Sequence, residues 1–140
     1  MLRGISKYFS PELLATIYKM GHGDEIVLAD AFFPGHSIHP NVIRADGVSI
    51  EDLLSAILPL FPLDTFVDDK IVMMSAVKGD SFDVEIEKSY LKIIDQYFKN
   101  AKITKIDRFA FYARAKNAFT VVVTGSDKKY ANIILKKGIK

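Results

Sequence analysis

Residues 21–33 of the chain read GHGDEIVLADAFF, in which a tight cluster of reactive side chains opens an apolar run. Glycines on both sides of His22 allow the backbone to adopt a positive φ angle and to approach a ligand closely. The apolar run that follows predicts a buried strand over Glu25–Ala31, and Asp30 falls where such a strand would reach the surface. We therefore expect His22 and Asp30 to place an imidazole and a carboxylate beside one pocket.

Helices and strands alternate on both sides of this stretch. Apolar or β-branched runs between turn signals predict further strands over Asn41–Ala45, Lys70–Val77, Lys102–Ile106, Phe119–Thr124 and Tyr130–Leu135. Apolar residues at helical spacing predict helices between Ser10 and Gly21, between Ser49 and Pro59, over Asp83–Phe98 and over Arg108–Asn117. This order predicts one α/β domain over residues 1–140, with a central sheet flanked by helices and ligands at the strand ends.

The spacing also predicts which side chains share a face. In the helix over 83–98 the inward residues are expected to be Ile86, Tyr90, Ile93, Ile94 and Tyr97. In the helix over 108–117, Phe109, Tyr112 and Ala113 form the expected apolar stripe. In the last strand, alternation places Tyr130 and Asn132 on the same face.

The composition excludes several classes of protein. Charged residues make up 26% of the chain and the net charge is only +2, which argues against nucleic acid or anionic lipid as a partner. The chain has no cysteine, so thiol catalysis, thiolate metal sites and disulfides are excluded. No signal peptide or membrane span is expected, and the cytoplasm is the predicted location.

Cofactor motifs are missing as well. There is no glycine-rich phosphate loop, nucleophile elbow or serine triad signature, so we expect no cofactor. His22, Asp30, His36 and His39 make a metal site conceivable, but their spacing follows no zinc pattern and none is predicted. The segment Pro34–Pro40 is instead interpreted as a substrate-gating loop, with an ordinary exposed loop as the alternative.

Several polar residues are candidates for a site. An imidazole titrates near neutral pH, so His22 suits a general acid or base, whereas the alternative is a solvated loop histidine. Asp30 suits the binding of hydroxyl groups or the orientation of His22, and otherwise caps a turn. The guanidinium of Arg108 suits a hydroxyl pair or a carboxylate, unless it only pairs with a surface acid. Tyr130 and Asn132 would supply a phenol and an amide.

Five motifs carry a resemblance to a known family. They are MGHGDE at 20–25, ADA at 29–31, VIRADG at 42–47, RFAFY at 108–112 and YANIILKKG at 130–138. In this order they resemble the family of ribose pyranases and fucose mutarotases. Within that family, the five motifs resemble those of the fucose branch. The resemblance implies a ribose pyranase-like fold and a cofactor-free isomerase that interconverts the anomers of free L-fucose.

The resemblance also implies roles for individual residues. His22 would be the proton-transferring residue, Asp30 and Arg108 would contact the sugar, and the segment Tyr130, Ala131 and Asn132 would form the other wall. It further implies a homo-oligomer, commonly a decameric ring, with sites near subunit interfaces. The ribose branch carries histidine where Arg108 stands, and fucose relatives often carry glycine where Ala131 stands. A D-ribose pyranase and a non-catalytic sugar-binding subunit stay open as alternatives.

Overall fold

The computed structural model describes residues 1–140, in which six strands form one sheet flanked by helices. The strands in chain order are β1 (Glu25–Ala29), β2 (Val42–Ala45), β3 (Ile71–Met74), β4 (Thr104–Ile106), β5 (Thr120–Thr124) and β6 (Ile133–Lys136). The helices are α1 (Pro11–Lys19), α2 (Gly35–Ile38), α3 (Ile50–Ile57), α4 (Val84–Ile94) and α5 (Arg108–Lys116). None of the helices is long and apolar enough to cross a membrane.

The sheet has the strand order β2-β5-β1-β6-β3-β4. All neighbouring strands pair in parallel except β6, which runs antiparallel to both β1 and β3. The carboxyl ends of β1, β3 and β4 therefore lie at the same edge as the amino end of β6, and we call this the upper edge. The amino end of β1 and the carboxyl end of β6 lie at the opposite, lower edge. The predicted α/β class with one central sheet is confirmed.

The two faces of the sheet are covered by different helices. Ile26 and Leu28 of β1 belong to the larger core, which packs against α1, α3 and α4. Val27 and Ala29 belong to the smaller core, in which Phe111 of α5 is fully buried. Successive side chains of a strand point to opposite faces, so a strand covered on both sides must be apolar throughout. This requirement explains the uninterrupted apolar run that follows Glu25.

The helix starts agree with the sequence prediction because they depend on local hydrogen bonds. The Ser10 hydroxyl accepts from the Leu13 N–H at 3.1 Å, and the Ser49 hydroxyl accepts from the Asp52 N–H at 3.1 Å. Each bond satisfies one of the free N–H groups in the first helical turn.

The predicted inward face of α4 is confirmed for Ile86, Tyr90, Ile93 and Ile94, whereas the stripe predicted for α5 is wrong for two of its three residues. In α5 the buried residues are Phe111 and Ala115, whereas Phe109 and Ala113 are exposed. A single short helix of mixed composition fits more than one stripe, and only its contact with the sheet selects among them. Tyr97 is half exposed because α4 ends at Ile94, so the helical spacing no longer applies to it.

The last strand is shorter than predicted. It begins at Ile133, and Tyr130 precedes it with a φ of 56°, in the left-handed region that aromatic residues rarely adopt. Tyr130 and Asn132 therefore do not share a strand face by alternation. Both nevertheless line one cleft, because the turn at Tyr130 directs the chain along its wall.

Candidate functional site

The upper edge of the sheet holds a cleft of about 240 Å³. Its polar lining comes from Asp30 after β1, Arg108 at the start of α5, and Lys129, Tyr130 and Asn132 before β6. Drug-sized ligands occupy pockets of roughly 300–1,000 Å³, so this volume suits a smaller polar molecule. The position follows the general rule that ligands of open α/β sheets bind outside the carboxyl ends of the strands.

Asp30 lines the cleft and is only 5% exposed. One carboxylate oxygen accepts a hydrogen bond from the Phe32 N–H at 3.0 Å, and the backbone N–H of Asp30 donates to the Asn132 side chain at 2.7 Å. Burial raises the pKa of Asp30 above its ordinary value, and hydrogen bonds from Phe32, Phe33 and Asn132 oppose that rise. The carboxylate of Asp30 is thus a desolvated hydrogen-bond acceptor that is available to a ligand in the cleft.

Replacing Asp30 with asparagine is expected to raise stability at neutral pH and to weaken ligand binding. Because burial raises its folded pKa above 3.8, Asp30 stabilises the fold below that pH, and this contribution is lost as the pH rises through the folded pKa. An amide avoids that loss but accepts hydrogen bonds less strongly, which should reduce affinity about tenfold. Chemical unfolding between pH 4 and pH 8, as rough limits, together with calorimetric titration with sugar, measures both effects. A variant less stable than the parent at neutral pH would contradict this account.

Arg108 stands at the rim of the cleft. Asp107 caps α5 by accepting a hydrogen bond from the Ala110 N–H at 2.9 Å, which starts the helix directly at Arg108. The guanidinium lies 4.9 Å from the ring centre of Phe109. It forms no ion pair within the chain, so its donors stay available to a ligand. The alternative role, in a surface salt bridge, is therefore not supported.

The segment Tyr130–Asn132 forms another wall of the cleft, and a hydrogen bond from α4 fixes its backbone. The buried hydroxyl of Tyr90 on α4 donates to the carbonyl of Ala131 at 2.7 Å. Burial raises the pKa of Tyr90 far above its ordinary value, so it stays a proton donor at any physiological pH. Ala131 itself does not line the cleft, whereas its neighbours Tyr130 and Asn132 do.

His22 lies at the lower edge, away from this cleft. Its ring nitrogen Nε2 is 3.2 Å from a carboxylate oxygen of Asp64, and its ring centre is 5.2 Å from that of the exposed Phe66. Asp64 is buried, and its pKa is held below the ordinary value by the Phe66 N–H and by His22. An ionised Asp64 favours the tautomer with the proton on Nε2, which leaves Nδ1 as a base.

The last residues of β6 position Asp64. Its N–H donates to the carbonyl of Lys136 at 3.1 Å. Gly138 then packs against the same segment so closely that an added Cβ atom would lie 2.6 Å from the Asp64 Cα. Only glycine fits there, which gives the end of the KKG motif a physical reason.

The acidic residues beside His22 are structural. The carboxylate of Asp24 accepts from the Gly21 N–H at 2.7 Å and closes the turn. Glu25 pairs with Arg114 at 2.6 Å and ties β1 to α5. Gly23 has a φ of 88°, as expected for the glycine after His22.

The expectation that His22 and Asp30 share a pocket is wrong for a single chain. They lie at opposite ends of β1, whose five residues alone span roughly 15 Å. Asp30 also stays buried instead of reaching the surface. A strand carries its two flanking residues to opposite edges of a sheet, and closeness in sequence hides that separation.

The other two histidines do not belong to the cleft. His39 is buried, with Nε2 2.6 Å from the Ala118 carbonyl and Nδ1 accepting from the Asn41 N–H at 2.9 Å. His36 is exposed on α2. None of the residues 34–40 lines the cleft, so the gating role stays a prediction from the sequence. No group of three histidine or acidic side chains is placed to hold a metal ion.

Two acidic residues were missed by sequence analysis. Asp64 lies between two short irregular segments and carries no motif, so nothing local distinguishes it. Asp80 follows Gly79 and reads as an ordinary turn signal, yet its carboxylate accepts a hydrogen bond from the Tyr130 hydroxyl at 2.8 Å. Both become visible only through partners that are at least forty positions away in the chain.

The fold and the cleft define the class of this protein: a small single-sheet α/β protein with a strand-end site for a compact polar ligand. The chain belongs to the RbsD / FucU transport protein family, whose model matches residues 3–140.

Individual relatives cover nearly the whole chain. An L-fucose mutarotase of Haemophilus influenzae (strain 86-028NP) is 56% identical over 99% of this chain and 97% of its own length. The fucose mutarotase of Streptococcus pneumoniae, solved in complex with L-fucose, superposes with a TM-score of 0.94 at 47% identity, covering 99% of both chains. Bacillus subtilis RbsD, solved with D-ribose, has a TM-score of 0.73 at 21% identity over 100% of this chain and 99% of its own, and shares the fold.

Proposed function

We propose that this protein is an L-fucose mutarotase, an isomerase that interconverts the α and β anomers of free L-fucose. The observation that carries the proposal is the 56% identity, over 99% of the chain, to a relative of that name. The cleft supports it, because a buried carboxylate, an amide and a free guanidinium suit the hydroxyl groups of one sugar ring.

The reaction needs two proton transfers and no electron transfer. One group accepts the proton of the anomeric hydroxyl while another donates a proton to the ring oxygen, and the ring C–O bond breaks to give an open-chain aldehyde. Rotation of the aldehyde and the reverse transfers close the other anomer. We assign His22 as the main acid and base, with Asp30, Arg108, Tyr130 and Asn132 as sugar contacts and the Ala131 backbone as part of the wall.

This assignment requires a second copy of the chain, because His22 and the cleft lie at opposite edges of one subunit. The lower edge of one copy would bring His22 and Asp64 to the cleft of the next copy. Exposed aromatic side chains at both places support this contact: Phe32 and Phe109 lie beside the cleft, and Phe66 lies beside His22. Exposed apolar groups of this size commonly mark protein interfaces.

Repeated from one copy to the next, such a contact is heterologous and closes only as a ring, whereas two copies facing each other about a two-fold axis close it as a dimer. We therefore propose a cyclic homo-oligomer, of which the decamer is the form that the resemblance to the family implies. The cytoplasmic location and the absence of nucleic acid and membrane partners stay predictions from the sequence.

The function is tested by saturation-transfer NMR between the anomeric proton signals of the free sugar. We expect exchange of the L-fucose anomers to accelerate with added protein, and a metal chelator to leave the rate unchanged. D-ribose is the comparison substrate, because the sister activity would act on it. Faster exchange of D-ribose forms than of L-fucose anomers would favour a D-ribose pyranase, and binding without any exchange would favour a non-catalytic sugar-binding subunit.

A further inference from the structure

The segment between β3 and α4, residues 75–83, reaches over the cleft and contacts its far wall. Val77 of this segment lines the cleft. Three residues later, Asp80 accepts hydrogen bonds from the Tyr130 hydroxyl at 2.8 Å, from the Lys129 ammonium at 3.0 Å and from the Ser81 N–H at 2.8 Å. Its side chain is 30% exposed, so these bonds form at the mouth of the cleft.

The hydroxyl of Tyr130 is thereby oriented. A phenol has one proton and two lone pairs, and the proton here is directed to Asp80. The Val77 N–H donates to the same oxygen at 3.4 Å. The remaining lone pair is available to the cleft, so Tyr130 faces a ligand as a hydrogen-bond acceptor.

The backbone at Tyr130 explains why such an anchor is needed. Its φ of 56° is costly for an aromatic residue and persists only when surrounding contacts hold it. The hydrogen bond from the Tyr90 hydroxyl to the Ala131 carbonyl fixes the main chain, but it does not restrict rotation of the Tyr130 ring. Asp80 is the group that fixes the far end of that ring.

We propose that Asp80 is a positioning residue for the mutarotase reaction: it holds the Tyr130 hydroxyl so that its oxygen accepts a hydrogen bond from the sugar. This inference rests on the proposed function of the cleft. Asp80 acts through Tyr130 and does not itself take up a proton. Hydrogen bonds from Tyr130, Ser81 and Lys129 hold the pKa of Asp80 down to about 2, so it stays ionised throughout the physiological range.

A double-mutant cycle separates this role from a merely structural one. Asp80→Ala is expected to lower kcat for L-fucose anomer exchange about tenfold with a smaller change in KM, because a misplaced hydroxyl affects the reacting geometry most. In a Tyr130→Phe background, Asp80→Ala should have no further effect, because the group it positions is gone. Lys78→Ala is the matched control, since Lys78 is exposed in the same segment and does not line the cleft.

Each outcome decides something. An unchanged kcat for Asp80→Ala, or a loss that persists in full in the Tyr130→Phe background, overturns the positioning role while leaving the proposed function intact. If the parent protein binds L-fucose without exchanging its anomers, the proposed function fails, and the same cycle in dissociation constants decides whether Asp80 positions Tyr130 for binding. If the parent does not bind L-fucose, both proposals are overturned.

Discussion

Replacing His22 with alanine is expected to slow L-fucose anomer exchange by a factor of about 10²–10⁴, the usual contribution of a positioned acid or base. The substitution should leave the fold intact, because His22 is exposed and its side chain forms one hydrogen bond, to Asp64, and one ring contact, to Phe66. Saturation-transfer NMR measures the exchange rate, and thermal unfolding measures the stability of the same sample. An unchanged exchange rate would refute the assignment of His22.

Two further variants sharpen this experiment. His36→Ala removes another exposed histidine that lies outside the cleft, and it should exchange the anomers at the parent rate. Asp64→Asn keeps the shape of the side chain that contacts His22 but removes the charge that selects the His22 tautomer. The anomer exchange rate of this variant should therefore fall between those of the parent and His22→Ala. A His36→Ala variant as slow as His22→Ala would mean that the loss does not come from proton transfer at His22.

Two impaired variants, one without the acid and base group and one with a cleft that binds sugar about tenfold more weakly, are expected to exchange the anomers faster in mixed oligomers than separately when the sugar concentration lies well below KM. His22→Ala keeps an intact cleft, and Asp30→Asn keeps an intact histidine. If each site takes its cleft from one copy and its histidine from the next, then about one quarter of the sites in an equal mixture carry both intact groups. Co-expression with two different affinity tags and sequential purification yields the mixed oligomers, and NMR measures their exchange rate against the pure variants.

The matched control combines Asp30→Asn with Tyr130→Phe. Both substitutions lie in the same cleft, so every site of that mixture keeps one damaged group and activity should stay at the level of the pure variants. Failure of the His22→Ala mixture to recover, in oligomers that contain both tags, would rule out a site shared between subunits.

Prediction from sequence succeeded where structure depends on neighbours in the chain. The caps at Ser10 and Ser49 form hydrogen bonds three residues away, and the apolar run after Glu25 follows from burial on both faces of β1. It failed for the stripe on α5, because the helix contacts the sheet through Phe111 and not Phe109. The last strand was extended too far because Tyr130 adopts a left-handed turn that no local signal announces.

The candidate site divides in the same way. Asp30, Arg108, Tyr130 and Asn132 were identified from sequence and meet in one cleft. His22 was identified too, but its partner Asp64 was not, and neither was Asp80. In the sequence, Asp64 and Asp80 both resemble ordinary turn residues, and only the structure shows that they bind His22 and Tyr130.

Local patterns are sufficient to predict the α/β class and most of the polar residues at the ends of the strands, because apolar periodicity and helix capping depend on neighbouring residues. Which of those polar residues meet depends on how distant strands pair. Antiparallel pairing of β6 brings Asn132 to Asp30 across 102 positions of the chain, and it places Asp64 beside His22 at the other edge. The five residues of β1 separate His22 from Asp30, because an extended strand keeps its two ends apart however close they stand in sequence.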